Sequence, residues 1–117
     1  MSAPTFSELH FLLDAAGALI AFQEKDQSWA GVLAFSSDAG AHRFVGQSRL
    51  EVAEIVTMAG DDRAGIAALI AALKRRPIRF LLLDLEYSSG HCRQVDFEGD
   101  GFGAIKERQF DAAHRHA

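Results

Sequence analysis

The most informative hydrophobic pattern along the chain is the unbroken run Phe80-Leu81-Leu82-Leu83, which leads into Asp84. Alternating apolar and polar residues mark a strand with one wet face, whereas a continuous apolar run marks a strand covered on both. A central strand over Arg79 to Leu85, with packing layers on either side, is the prediction. Before it, Ile66, Leu69, Ile70 and Leu73 recur at helical spacing behind Gly60-Asp61-Asp62. Lys74, Arg75 and Arg76 follow where a helix dipole favours cations, and Pro77 supplies a stop. Spacing, caps and charge agree on an amphipathic helix that needs a sheet to pack against.

Upstream, Val32 to Phe35 and Val52 to Met58 read as strands. Between them Ser36-Ser37-Asp38 offers oxygens to cap a short helix from Asp38 to Gln47, with Ala41, Phe44 and Val45 facing inward. The order strand, helix, strand, helix, strand favours parallel strands joined by right-handed crossovers. Leu9 to Leu13 and Ala18 to Phe22 flank Asp14-Ala15-Ala16-Gly17, a turn-like segment that predicts an opening β-hairpin. Leu9, Leu12, Leu13, Ala16 and Ile20 also fit one helix from Ser7 to Lys25, but Gly17 and Asp14 favour strands. Beyond Tyr87, Arg93 to Phe97 reads as one more edge strand and Ile105 to His114 as a terminal helix of weak amphipathicity. The expected fold is α/β, or α+β: a single domain over residues 1–117, with a small mixed sheet, an N-terminal hairpin and a βαβαβ core.

Composition narrows the setting. A chain of 117 residues holds one core without staples. Cys92 is the only cysteine, so the chain forms neither an internal disulfide nor a four-cysteine zinc cluster, and a reducing, cytoplasmic location is expected. The net charge of −4, from 12 basic and 16 acidic residues, opposes a phosphate backbone, so nucleic acid is not an expected partner. No stretch approaches the ~20 apolar residues of a membrane span, and Met1 to Ser7 lacks the pattern of an export signal.

The segment Val32-Leu-Ala-Phe-Ser-Ser-Asp-Ala-Gly-Ala-His-Arg-Phe44, followed by a strand, an amphipathic helix and an apolar strand ending in Asp84, resembles SseB-like domains over roughly Ala30 to Leu85. Such domains usually follow that aspartate with proline, where this chain has Leu85. The resemblance implies a small accessory α/β module and carries no catalytic residues across.

Parallel strands would gather the loops after Phe35, Met58 and Leu85 at one edge of the sheet, where open α/β folds bind ligands. Ser36, Ser37, Asp38, Asp61, Asp62, Asp84 and Glu86 would share that rim. Ordinary capping selects the same residue types and is the competing explanation. Asp96-Phe97-Glu98-Gly99-Asp100-Gly101, with Glu107 at the twelfth place, follows the spacing of a calcium-binding EF-hand loop. Asp96, Asp100, Gly101 and Glu107 match, while Glu98 stands where Asp or Asn is usual; a solvated turn is the alternative. Gly99 to Gly103 lacks the spacing of a nucleotide loop. His91 and Cys92, adjacent on an extended segment, point to opposite faces and do not pair as base and nucleophile. His114 and His116 sit in a tail.

Three functional expectations follow. The leading one is a non-enzymatic interaction module with a protein partner or a homodimer. The second is a calcium-binding domain using Asp96, Glu98, Asp100 and Glu107. The third is a small enzyme acting at Asp84 and Glu86.

Overall fold

A computed structural model describes residues 6–22, 30–76 and 78–109. In chain order the elements are β1 (Glu8–Leu13), β2 (Ala21–Phe22), β3 (Ala30–Phe35), α1 (Asp38–Ser48), β4 (Glu54–Ala59), α2 (Arg63–Arg75), β5 (Ile78–Leu83), β6 (His91–Glu98) and β7 (Gly101–Gln109). The sheet runs β4-β1-β3-β5-β6-β7, with β2 pairing β3 outside this path. Among the described residues only β3 and β5 are parallel neighbours; every other pairing is antiparallel.

Because β1 runs antiparallel to both β3 and β4, the strands β3, β4 and β5 all point the same way. The expected βαβαβ core is therefore present, with β1 inserted between β3 and β4. The first crossover moves along the sheet in one direction and the second returns in the other. Right-handed crossovers of opposite sense must lie on opposite faces, and the two packing clusters follow that rule. Ile66, Ile70 and Leu73 of α2 join Leu9, Phe11, Val32, Ala34, Leu81, Leu83 and Val95. Ala41 and Phe44 of α1 join Leu12, Leu33, Phe35, Phe80, Leu82, Leu85 and Cys92 on the other face. The run at residues 80–83 is split between the two, so β5 is the doubly covered strand its sequence predicts.

Residues 8–22 form the hairpin and not the single helix. Asp14 Oδ1 accepts from the Ala16 and Ala18 amides, Gly17 sits at φ +82, and Leu13 bridges Leu19. The return arm then leaves β1, and Ala21 and Phe22 pair with β3 instead.

Two expectations at the C-terminal end need correction. Residues 93–97 lie in β6, which is not an edge, because β7 pairs along it from Gly101 to Gln109. Ile105 to Gln109 is strand and not helix, with Ile105 37% exposed opposite Val95. Helix-forming residues there yield to the ladder offered by β6, a case of tertiary pairing overriding local propensity. Residues 110–114 of the expected helix lie outside the described residues.

Candidate functional site

The C-terminal ends of the parallel neighbours β3 and β5 open into a cleft of about 280 Å³. Its floor is Phe35, Phe44 and Leu85, and its walls carry Ser36, Arg43, Gln47 and Glu86. Asp84 is the hinge of this wall. It holds a left-handed backbone at φ +55, a conformation that Asp tolerates better than most residues. Its carboxylate accepts from the Ser36 amide at 2.8 Å, the Ser36 hydroxyl at 2.7 Å and Arg93 Nη2 at 3.0 Å.

The other rim residues divide between capping and separation. Ser37 caps α1 by accepting from the Gly40 amide at 3.0 Å, and Asp62 caps α2 by accepting from the Gly65 amide at 3.0 Å. Asp38 begins α1 and lies 3.4 Å from His42. Glu86 accepts from the Ser89 hydroxyl at 2.7 Å. Asp61 and Asp62 follow β4, and the insertion of β1 puts three strand spacings, roughly 14 Å, between the ends of β4 and β5. The rim is one edge of the sheet, but it is two separate groups. In the cleft both serine hydroxyls serve the backbone or Asp84, and among the described residues no imidazole lines its walls.

A second polar group was not singled out in the sequence. His10, 2% exposed, contacts Glu8 Oε2 through Nε2 at 2.5 Å and Thr57 Oγ1 through Nδ1 at 2.9 Å. A neutral imidazole with its proton on Nε2 satisfies both, donating to Glu8 and accepting from Thr57. Register explains the meeting, since His10 and Thr57 are directly opposite across β1 and β4. The available signal was a lone histidine inside the apolar run Leu9 to Leu13, two places from a carboxylate on the same strand face.

The residues of the EF-hand-like spacing lie on the β6–β7 hairpin, with Gly99 and Asp100 at its turn. Asp96 accepts from Gln94 Nε2 at 2.7 Å and faces Lys106 at 3.5 Å, while Glu107 contacts His91 Nε2 at 2.6 Å. Glu98 is exposed near the turn, beside Gly103. Among the described residues, no three His, Cys, Asp or Glu side chains form a group suited to a metal ion.

Cys92 is buried in the α1-side cluster, while its neighbour His91 is exposed on the other face. Burial, and then the charge of Glu107, push the thiol up to about 11. A thiol so held is a poor nucleophile at neutral pH. Arg108 stacks 5.1 Å above the Phe80 ring, and burial lowers its pKa. Arg76 finishes α2 and donates to the Leu19 carbonyl at 3.1 Å, while Arg75 and Arg79 are exposed. His114 and His116 lie outside the described residues.

No helix among the described residues is long and apolar enough to cross a membrane. Comparison of the chain with known families, with curated proteins and with solved structures finds no match.

Proposed function

We propose that this chain is a non-enzymatic interaction module of the cytoplasm, in which the outer edge of β4 accepts an extended segment of a protein partner. The observation that supports this reading is the contrast between the two ends of the sheet. At one end, β7 carries Lys106, Glu107 and Arg108, and its pairing with β6 is interrupted by a register shift. Charges and bulges are the devices that keep an edge from pairing. At the other end, β4 reads Glu54-Ile-Val-Thr-Met-Ala59, with one charge at its start, no proline and an unbroken register against β1. Among the described residues no strand pairs with its outer side. Strand addition supplies affinity through the main chain and specificity through alternate side chains. The resemblance to SseB-like domains fits an accessory role of this kind.

Selection of extended peptides from a random library, followed by hydrogen exchange on the complexes, tests the reading. Binders should protect the amides of Ile55, Thr57 and Ala59. Binders that protect only other segments, or a library that yields none, would overturn it.

A second reading rests on the Glu8-His10-Thr57 row, which has the order carboxylate, imidazole, hydroxyl of an activated nucleophile. In it Thr57 is the nucleophile of a small hydrolase and His10 its base. Turnover of an activated ester that disappears in His10→Ala would favour it, and equal rates in the two proteins would remove it.

A further inference from the structure

We infer that the segment β4 accepts is β4 of a second copy of this chain, paired antiparallel about a two-fold axis that passes beside Thr57. This inference rests on the strand-accepting reading above and adds the identity of the partner and its register.

The direction of the outward backbone groups sets the register. The Gly60 amide donates to the Ser7 carbonyl at 3.0 Å, and the pairing of β4 with β1 continues unbroken from Glu8↔Ala59 to Leu13↔Glu54. In an antiparallel pair, residues bond to a given neighbour at every second position. Gly60 bonds inward, so Met58, Val56 and Glu54 do as well, and the amides and carbonyls of Ile55, Thr57 and Ala59 face away from the sheet, the Ala59 carbonyl using one of its two acceptor positions for the Asp62 amide at 3.2 Å. The close approach of the Thr57 and His10 side chains agrees, because non-hydrogen-bonded pairs bring side chains nearest.

Two identical strands can pair antiparallel in one sheet only about a two-fold perpendicular to it, which keeps each face on its own side. Opposite residues must then share a face, so their numbers have even sums. Centring on Thr57 sets Ile55 against the second copy's Ala59 and Thr57 against Thr57, which engages all three outward-facing residues of both strands. Centring on Val56 leaves Ala59 opposite Ala53, outside the strand. The Thr57 register also sets Val56 against Met58 and Glu54 against Gly60, so no like charges meet. Both α1 helices then lie over one face of the joined sheet and both α2 helices over the other.

The strand is six residues long. Such a contact is smaller than the standard interface of about 1,600 Å², so the dimer should dissociate on dilution.

Sedimentation velocity over a wide concentration range, with Thr57→Lys, Thr57→Glu and their equimolar mixture, tests the inference. Each variant alone places like charges across the axis and should weaken association by about tenfold or more. In the mixture the introduced lysine of one copy meets the introduced glutamate of the other, and the dimer should return. Circular dichroism and thermal unfolding establish that both variants fold. A wild-type protein that stays monomeric, a dimer indifferent to either charge, or a mixture that fails to reassociate would each overturn the inference. Peptide protection of residues 55, 57 and 59 in a monomeric protein would leave the strand-accepting reading standing without it.

Discussion

Asp84 binds Ser36 twice, through its backbone amide and through its hydroxyl, and so ties the end of β5 to the end of β3. The two residues are 48 positions apart in sequence, and their contact holds one wall of the cleft in place.

Replacing Asp84 separates the two costs it carries. Asp84→Ala loses the acceptors for Ser36 and Arg93 while keeping a left-handed backbone, and it should lower stability by about 2–3 kcal/mol. Asp84→Gly loses the same acceptors but also relieves the left-handed backbone, and should recover about 1 kcal/mol of that loss. Urea denaturation of the three proteins measures both quantities, and equal midpoints for Ala and Gly would show that φ +55 is unstrained.

Gly31 should not accept a methyl group. A Cβ built there stands next to the Phe80 ring, inside contact distance, and that ring is itself held between the α1-side core and the Arg108 guanidinium. Gly31→Ala should therefore cost about 1–3 kcal/mol through overpacking, read as a lowered midpoint in the same urea experiment. Wild-type stability would mean that the ring moves freely.

Cys92 gives the protein a pH dependence at the alkaline end. The folded thiol titrates near 11 and the unfolded one near 9.0, so above pH 9 the unfolded chain releases a proton that the folded chain retains. Its contribution to stability is thus full below about pH 9 and declines as pH rises toward 11. Unfolding free energies of wild type and Cys92→Ala, measured from about pH 7 to pH 11, should differ by an amount that shrinks across this window. A thiol reagent at about pH 8 should react with the native protein only as fast as it opens.

Calcium should have no effect on the β6–β7 hairpin. Asp96 is engaged by Gln94 and Lys106 and Glu107 by His91, and the segment is a strand pair and not a loop between helices. Calorimetry with millimolar calcium should show no saturable heat. A stoichiometric binding isotherm would support the ion-binding reading of Asp96, Glu98, Asp100 and Glu107.

Much of this architecture was legible where local pattern and tertiary role coincide. Residues 80–83 announce a doubly covered strand because nothing polar interrupts them, and α2 announces itself through Ile66, Ile70 and Leu73. The position of β1 was not legible, since the apolar run Leu9 to Leu13 would look the same beside any neighbour. That insertion divides the acidic rim, so Asp61 and Asp62 do not share a site with Asp84. At β7 the polar stretch Lys106-Glu-Arg-Gln109 carries no strand signal, and only pairing with β6 makes it one. The Glu8-His10-Thr57 row depends on a contact between residues 47 positions apart, which no local pattern reports.

The insertion of β1 also bears on how the chain is made. During synthesis β1 leaves the ribosome before either of the strands that will flank it, and its outer neighbour is completed only at Ala59. Until then the outer backbone edge of β1 has no partner, and Leu9 and Phe11, which face α2, stay uncovered until that helix is complete at Arg75, which leaves the kind of segment chaperones bind. Distant pairings of this sort slow folding, and a ribosome paused before Arg75 is added would hold Leu9 and Phe11 without the helix that covers them.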